Sequence, residues 1–455
     1  MTPSEFSVEI IDIALPNNYG VAKKDGRVIF VPGAVIDDKV TVRLNRESKR
    51  FAYGEISHVD VPSSFRVTPE CPHFGSCGGC IMQNLRYDKQ LLIKQKYLLD
   101  NLNRVGGLDP QSLEILPVTP SPDLYFYRNK LELAFGNKND EVILGLRERL
   151  SPFKPFSANV IPLNKCPVFS TVAEKVIPIL TQFAHAEGFT AFNPLTRKGI
   201  LKHLILRESK STGEIMVILE TKTEALQGIK NVIHEIGQRV PGVVSFYHAT
   251  SRRTDDIIHF DRINRLFGAR SIVEHVSHLN LNIYPQSFFQ PNSKSAALLY
   301  GEIANQLNLK GSEVILGLYS GTGSIEIFLS DKALQVIGVD SEQANISTAN
   351  KNCKANQIEN CKFYQSRVED ILKQGKLPKA DILIIDPPRT GLSGQALHVV
   401  KHVAIPKIAY ISCSPPTLAR DLRELCGYGY SIHRIIPFDF LPHTGHLEIL
   451  TILVH

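Results

Sequence analysis

Four short apolar runs in the last third of the chain each end in a polar or glycine-rich turn, and this rhythm constrains the fold more than any other feature. Val314–Tyr319 runs into Gly321-Thr322-Gly323, Leu334–Val339 ends at Asp340, Ile382–Ile385 at Asp386, and Lys407–Ser412 at Cys413. Helix-like segments separate the runs. Strands that are apolar along their whole length are buried on both faces, so the pattern predicts a doubly wound, mostly parallel sheet sandwiched by helices. Such sheets bind ligands beyond the carboxyl ends of their strands. The four polar ends are therefore expected at one edge, facing one pocket.

Each end has a plain reading and a functional one. Gly321-x-Gly323 alone is weak, since tight turns use glycine everywhere. Its place after a first strand, with Asp340 ending the second, suits a nucleotide-like cofactor whose ribose hydroxyls an acidic residue accepts. A helix-capping role is the plain alternative for Asp340. Asp386-Pro387-Pro388 stops its strand with prolines, fixing a carboxylate over the pocket. Cys413, in a short apolar stretch, reads first as a small buried hydrophobe. As a thiolate, favoured by a partly exposed electropositive setting to which Arg389 or Arg420 could contribute, it becomes a nucleophile. About 35 residues on, Pro442-His443-Thr444-Gly445-His446-Leu447-Glu448 brings a glutamate. Cysteine plus carboxylate is what methylating a pyrimidine ring carbon requires: a thiolate added at C6 makes C5 nucleophilic, and a base then removes the C5 proton.

Upstream, residues 5–66 alternate in short strands and turns, five strands in about sixty residues, which predicts a small OB-like barrel. Cys71-Pro72-His73-Phe74-Gly75-Ser76-Cys77-Gly78-Gly79-Cys80 follows, with Cys166 downstream. Eight cysteines in a chain without a basic-then-apolar leader argue for the cytoplasm and against a disulfide framework. Three cysteines in one loop and a distant fourth suit a fully ligated [4Fe–4S] cluster, while structural zinc, which prefers paired C-x2-C knuckles, stays open on spacing alone. Arg86 to Leu102 has leucines at helical spacing; residues 125–275 mix strand and helix patterns that composition does not interpret. At 43% hydrophobic and 21% charged, with no apolar run of membrane length, the chain reads as globular. A net charge of +6, with Arg43, Arg46, Lys49 and Arg50 crowding one stretch, permits an RNA partner without demanding one.

Together these motifs resemble the RNA uracil-5 methyltransferase family, S-adenosylmethionine-dependent enzymes that make 5-methyluridine. The resemblance spans nearly the whole chain. Residues 5–66 are similar to the family's TRAM domain. The Cys71–Cys80 loop with Asn164-Lys165-Cys166-Pro167 resembles its four-cysteine iron–sulfur site, implying Cys71, Cys77, Cys80 and Cys166 as ligands. Ser287-Phe288-Phe289-Gln290-Pro291-Asn292 matches the segment whose glutamine lies at cofactor and base. Leu318-Tyr319-Ser320-Gly321-Thr322-Gly323-Ser324 matches the cofactor loop, so Gln290, Tyr319, Ser324, Asp340, Arg367 and Asp386 are implied as cofactor contacts. Ser412-Cys413-Ser414-Pro415-Pro416 matches the nucleophile motif and Pro442–Glu448 the motif of the base. The chain departs from the family pattern at four places: Ser320 replaces a cysteine, Ser414 an asparagine, Gly317 an aspartate and Arg367 a smaller polar residue. Altered cofactor affinity is the expected consequence at Gly317 and Arg367.

The expected architecture is multidomain: an N-terminal OB-like barrel (1–66), a central α/β domain carrying the cluster cysteines (67–275), and a C-terminal Rossmann-like α/β methyltransferase domain (276–455). The expected activity is methylation of uridine C5 in RNA through Cys413 and Glu448. The Cys-Gly-Gly-Cys loop is most similar to that of the ribosomal-RNA branch, whose 23S rRNA enzymes differ from a tRNA branch that typically lacks the cluster and the barrel. Ribosomal RNA is thus the favoured substrate and transfer RNA the alternative, with no membrane and no obligate protein partner, so that a monomer is expected. Competing readings are a degenerate RNA-binding or chaperone protein, an iron–sulfur redox protein, and a 5-methylcytidine enzyme.

Overall fold

The computed structural model describes residues 5–139, 141–152, 157–371 and 379–455. Met1–Ser4, part of the N-terminus read above for a leader, lie outside the described residues. The N-terminal region forms one six-stranded sheet, not the five strands expected. The sheet includes the strand Tyr19–Lys24, which begins at Tyr19-Gly20 and pairs antiparallel with Asp12–Ala14 and with Arg27–Pro32. Val8, Ile10, Ala22, Ile29, Val31, Val40 and Val42 alternate inward to make its core, joined by Met82, Leu85 and Ile93.

The helix expected over Arg86–Leu102 spans Tyr87–Arg104. Its Leu98 and Leu102 sit in the core of the C-terminal domain beside Leu418, Leu422 and Leu425. The same helix carries Lys94, whose Nζ lies 2.6 Å from Asp439 Oδ1 with both side chains sealed from solvent, and which also donates to the Leu441 carbonyl at 3.3 Å. Removing one partner of a buried pair strands the other charge, at a cost of about 3–5 kcal/mol. Lys94→Met is therefore expected to lower the unfolding midpoint in urea, and Lys94→Met/Asp439→Leu to recover most of the loss. A single variant as stable as wild type would show that the pair does not tie the helix to the C-terminal domain.

Between them lies a seven-stranded sheet in the order Arg262–Gly268, Val243–Thr250, Ile215–Thr221, Leu201–Glu208, Lys130–Lys138, Glu141–Arg147 and Val160–Pro162. A hairpin, Ile272–Val276 with Leu279–Ile283, leads from it into the last domain.

The C-terminal sheet also has seven strands. Across it run Cys361–Gln365, Gln335–Asp340, Val314–Leu318, Ile382–Ile385, Lys407–Ser412, Glu448–Val454 and Ser431–Phe438. The first five are parallel, and Glu448–Val454 is antiparallel to its neighbours on both sides. Strand order reverses between Val314–Leu318 and Ile382–Ile385, the place where a crevice opens at the carboxyl edge. Two apolar layers, one around Leu316, Leu383 and Tyr410 and the other around Ile315, Ile384 and Ile411, bury the two faces as the continuous apolar runs foretold. No helix among the described residues is long and apolar enough to cross a membrane.

Candidate active site

The carboxyl edge of that sheet opens into a cavity of about 630 Å³. Tyr319, Ser320 and Ser324 from the first strand's turn, Asp340 from the second strand, Asp386 from the fourth and Cys413 from the fifth all line it, with Gln290 closing one side. Glu448 completes it, and the reason is topological. Its strand runs antiparallel, so its first residue lies at the edge where the parallel strands end; Ser412 pairs with Ile449, leaving Cys413 and Glu448 as the next residues on either side.

The glycine turn is wound tightly. Tyr319, Gly321 and Gly323 all have positive φ, at 60°, 54° and 73°. A tyrosine there is strained, and such strain persists where surrounding structure enforces it. Asp340 helps enforce it: Oδ2 accepts from the Gly321 N–H at 2.9 Å, while Oδ1 accepts from the Glu342 N–H at 2.8 Å and Asn345 Nδ2 at 3.1 Å. Asp340 therefore braces the turn before the next helix and also lines the cavity. Gln290 is held by its neighbours: Asn129 Nδ2 donates to its carbonyl at 2.7 Å, and Asn292 donates to Ser121 Oγ and the Phe440 carbonyl, each at 3.0 Å.

Around Cys413 the electrostatics are mixed. Burial, then Glu448 and Asp386, push its thiol up to about 11, and Arg389 opposes them. The field expected from Arg389 or Arg420 comes from Arg389 alone. Arg420 is spent on Asp421 and on the Thr390 and Leu392 carbonyls, bracing the loop that carries Arg389. Asp421, fully buried, also accepts from Tyr410 Oη at 2.7 Å and the Leu392 N–H at 2.8 Å. Arg389 Nη2 donates to His446 Nδ1 at 2.7 Å; burial and the charge on Arg389 hold His446 down to about 4, so it stays a neutral acceptor. Burial pushes Asp386 up to about 7 and, with Asp386, holds Glu448 well above the ordinary carboxylate range. Three acidic groups thus crowd a half-buried pocket, a setting that favours a cationic ligand and makes proton uptake by a carboxylate easy.

Arg367, implied as a cofactor contact, is not in this lining. It is 71% exposed and sits 3.7 Å from Glu369, because the short 3₁₀ turn Val368–Asp370 carries it outward. Conversely, Tyr300, Glu326, Glu342 and His446 line the cavity and were not read from the sequence. Glu342 directly follows the Asp340-Ser341 strand end, a position that could have flagged it; Tyr300 lies in a helix whose apolar spacing gave no sign.

The loop leading to Glu448 is pinned from three directions. The Ile81 and Met82 N–H groups donate to the His443 carbonyl at 2.9 and 3.0 Å, and His443 N–H donates to Gln90 Oε1 at 3.0 Å. Tyr127 Oη donates to the Pro442 carbonyl at 3.0 Å. Gly445 passes so close to the N-terminal sheet that a Cβ would meet the Pro16 carbonyl at 2.5 Å. Ile81 directly follows the cysteine loop. Cys71, Cys77, Cys80 and Cys166 line one small cavity with Arg128, whose buried Nε has no hydrogen-bond partner among the described residues. Burial pushes Cys77 and Cys166 up to about 11 and 12. Among the described residues no group of three or more His, Cys, Asp or Glu side chains is placed to hold a metal ion.

Comparison with known proteins accords with this geometry. A family described as tRNA (Uracil-5-)-methyltransferase matches residues 272–455. A Clostridium tetani protein named as an uncharacterized RNA methyltransferase is 33% identical over 439 residues, covering 96% of this chain and 93% of its own. One of the same name from Bacteroides thetaiotaomicron is 33% identical over 448 residues, covering 95% and 98%. The crystal structure of a Pyrococcus abyssi tRNA (uracil-54, C5)-methyltransferase in complex with S-adenosyl-L-homocysteine matches at a TM-score of 0.78 and 29% identity, over 98% of this chain and 99% of that one. With relatives this similar over its whole length, a matching C-terminal domain and a pocket suited to a cationic methyl donor, the chain belongs to the S-adenosylmethionine-dependent RNA uracil-5 methyltransferase family.

Proposed function

We propose that this enzyme methylates C5 of a uridine in ribosomal RNA, with Cys413 as the nucleophile and Glu448 as the base that frees the product. One observation carries the reading: Cys413 and Glu448 line the same cavity as Tyr319 and Ser324 of the glycine turn and Asp340 at the end of the second strand. The target uridine is unstacked from single-stranded or loop RNA and enters the cavity. Cys413 gives up its proton and its sulfur bonds to C6, making C5 nucleophilic. C5 takes the methyl group as the sulfonium C–S bond of the donor breaks, leaving S-adenosylhomocysteine. Glu448 removes the C5 proton, and the electron pair left behind forms the C5–C6 double bond and expels the Cys413 thiolate. Gln290 and Asp386 orient base and donor.

Both reacting groups must lose a proton, and both are held above their ordinary values. The rate constant kcat/KM is therefore expected to climb with pH from 6 to 9. A profile that falls across that range would contradict these roles.

Cys71, Cys77, Cys80 and Cys166 fit a [4Fe–4S] cluster. The four thiols line one small cavity, and three cysteines in one loop with a distant fourth suit a cuboidal cluster better than the paired knuckles that zinc prefers. The unpartnered Arg128 Nε suits the net negative charge of a four-thiolate cluster. Bound there, the group would cross-link the loop to the central region and so brace Ile81 and Met82 under the loop that carries Glu448. Cys166→Ser is expected to drop bound iron from about four per chain to well below one and to lower methyl transfer more than donor binding. Full iron content in that variant would remove Cys166 from the ligand set.

Ribosomal RNA is favoured by the Cys-Gly-Gly-Cys loop. A tRNA reading has its own support, because the matching tRNA (uracil-54, C5)-methyltransferase covers 98% of this chain. The expectation that tRNA enzymes lack the N-terminal and cysteine-bearing regions therefore does not separate the two. Assays on unmodified ribosomal and transfer RNA do: label entering rRNA alone supports the proposal, and label entering tRNA alone overturns it.

A further inference from the structure

Gly317 interrupts an otherwise apolar strand one residue before its carboxyl end, where it pairs with Gly338 on one side and Ile384 on the other. It is also where the family pattern has an aspartate. The space beside it is not empty. A Cβ at 317 would lie 2.0 Å from Glu326 Oε1, 2.9 Å from Glu326 Cδ and 3.0 Å from Glu326 Cγ. Glu326 belongs to the short helix Ser324–Leu329 that follows the glycine turn, among Ile325, Ile327, Phe328 and Leu329, all buried. It is itself only 2% exposed, yet it lines the cavity. A carboxyl group in that company is costly unless something it faces repays the burial.

We infer that the Glu326 carboxylate stands in for the missing acid at 317 and holds the positively charged end of S-adenosylmethionine. The swap is one of position. A carboxylate usually projected from the strand here reaches the same space from the adjoining helix, and the strand residue must be glycine to admit it. Gly317 then leaves cofactor affinity intact, where the sequence led to an expectation of altered affinity. Burial, with Asp386 and Asp340 nearby, pushes Glu326 up to about 8, so the group is poised to gain its charge when a cation arrives. The donor has two cationic groups, its sulfonium and its α-ammonium, and the shared chemistry is a cation meeting a buried carboxylate. The inference rests on the cavity being the methyl-donor site.

The test is donor affinity, measured by calorimetry on the intact protein, with thermal unfolding as the check on folding. Wild-type protein must first bind S-adenosylmethionine; if it does not, the reading of the cavity fails rather than this inference. Glu326→Gln, nearly isosteric, is expected to raise the Kd by about tenfold or more while keeping a cooperative unfolding transition. Gly317→Asp alone should lose binding because its side chain would overlap Glu326. Gly317→Asp/Glu326→Ser, which moves the carboxylate to the strand, should return the Kd to within about threefold of wild type. S-adenosylhomocysteine lacks the sulfonium charge, so a loss confined to S-adenosylmethionine would assign the sulfonium and an equal loss on both would assign the ammonium. A folded Glu326→Gln protein that binds as tightly as wild type overturns the inference. So does a folded double variant that binds no better than Glu326→Ser.

Discussion

Replacing Cys413 with alanine is expected to lower methyl transfer by more than about 10³-fold while leaving the Kd for S-adenosylmethionine within about twofold of wild type. The size of the effect follows from the chemistry. C5 of uracil does not attack a sulfonium methyl unaided, and no other thiol lines the cavity. The affinity is spared because the cofactor turn, Asp340 and its amide partners, and the carboxylates around Glu326 do not depend on the sulfur. The thiol, held up to about 11 by burial, Glu448 and Asp386, is uncharged at neutral pH in the folded and the unfolded chain alike, so the alanine removes only a half-buried sulfur and the variant should still fold. Transfer at even a tenth of the normal rate would remove Cys413 from the mechanism.

Glu448→Gln should separate methylation from release. Methyl transfer precedes removal of the C5 proton, so the variant is expected to complete the first and stall at the second, leaving RNA bonded to Cys413. On a denaturing gel this gives a protein–RNA species of reduced mobility that carries label from the methyl group. The neutral amide keeps the shape of a buried residue and eases the crowding of Glu448 against Asp386. Asp386 lines the same cavity, and its carboxyl, at about 7, is the alternative proton acceptor. Normal turnover by Glu448→Gln with stalling by Asp386→Asn would pass the role of base to Asp386.

Most of the C-terminal domain was legible because its strands are apolar on both faces and stop at residues that cannot continue them. Val314–Leu318, Ile382–Ile385 and Lys407–Ser412 fall within a residue or two of their expected bounds. The pairing of Cys413 with Glu448 was legible as chemistry but not as geometry, since it needs the last strand to run antiparallel, which local pattern does not encode. Arg367 precedes a 3₁₀ turn and lies outside the cavity lining, although its charge reaches Tyr319. Glu326 stayed hidden because an acidic residue in a short helix reads as solvent-facing, whereas this helix is buried from Ile325 to Leu329 and Gly317 leaves room for the carboxylate. In the N-terminal region the expected count fell one strand short, since Tyr19–Lys24 carries within it Gly20, a residue that reads as a strand breaker. Membership in an RNA uracil-5 methyltransferase family sets aside the redox and 5-methylcytidine readings, whereas the choice of RNA turns on recognition across several regions, toward which only the Cys-Gly-Gly-Cys loop points.

The most direct measurement of the central claim is a map of 5-methyluridine across ribosomal and transfer RNA from cells lacking this protein, complemented with either the wild-type or the Cys413→Ala gene. The account predicts loss of 5-methyluridine from ribosomal RNA, restored by the wild-type gene and not by the alanine variant. An unchanged map, or restoration by Cys413→Ala, would contradict it.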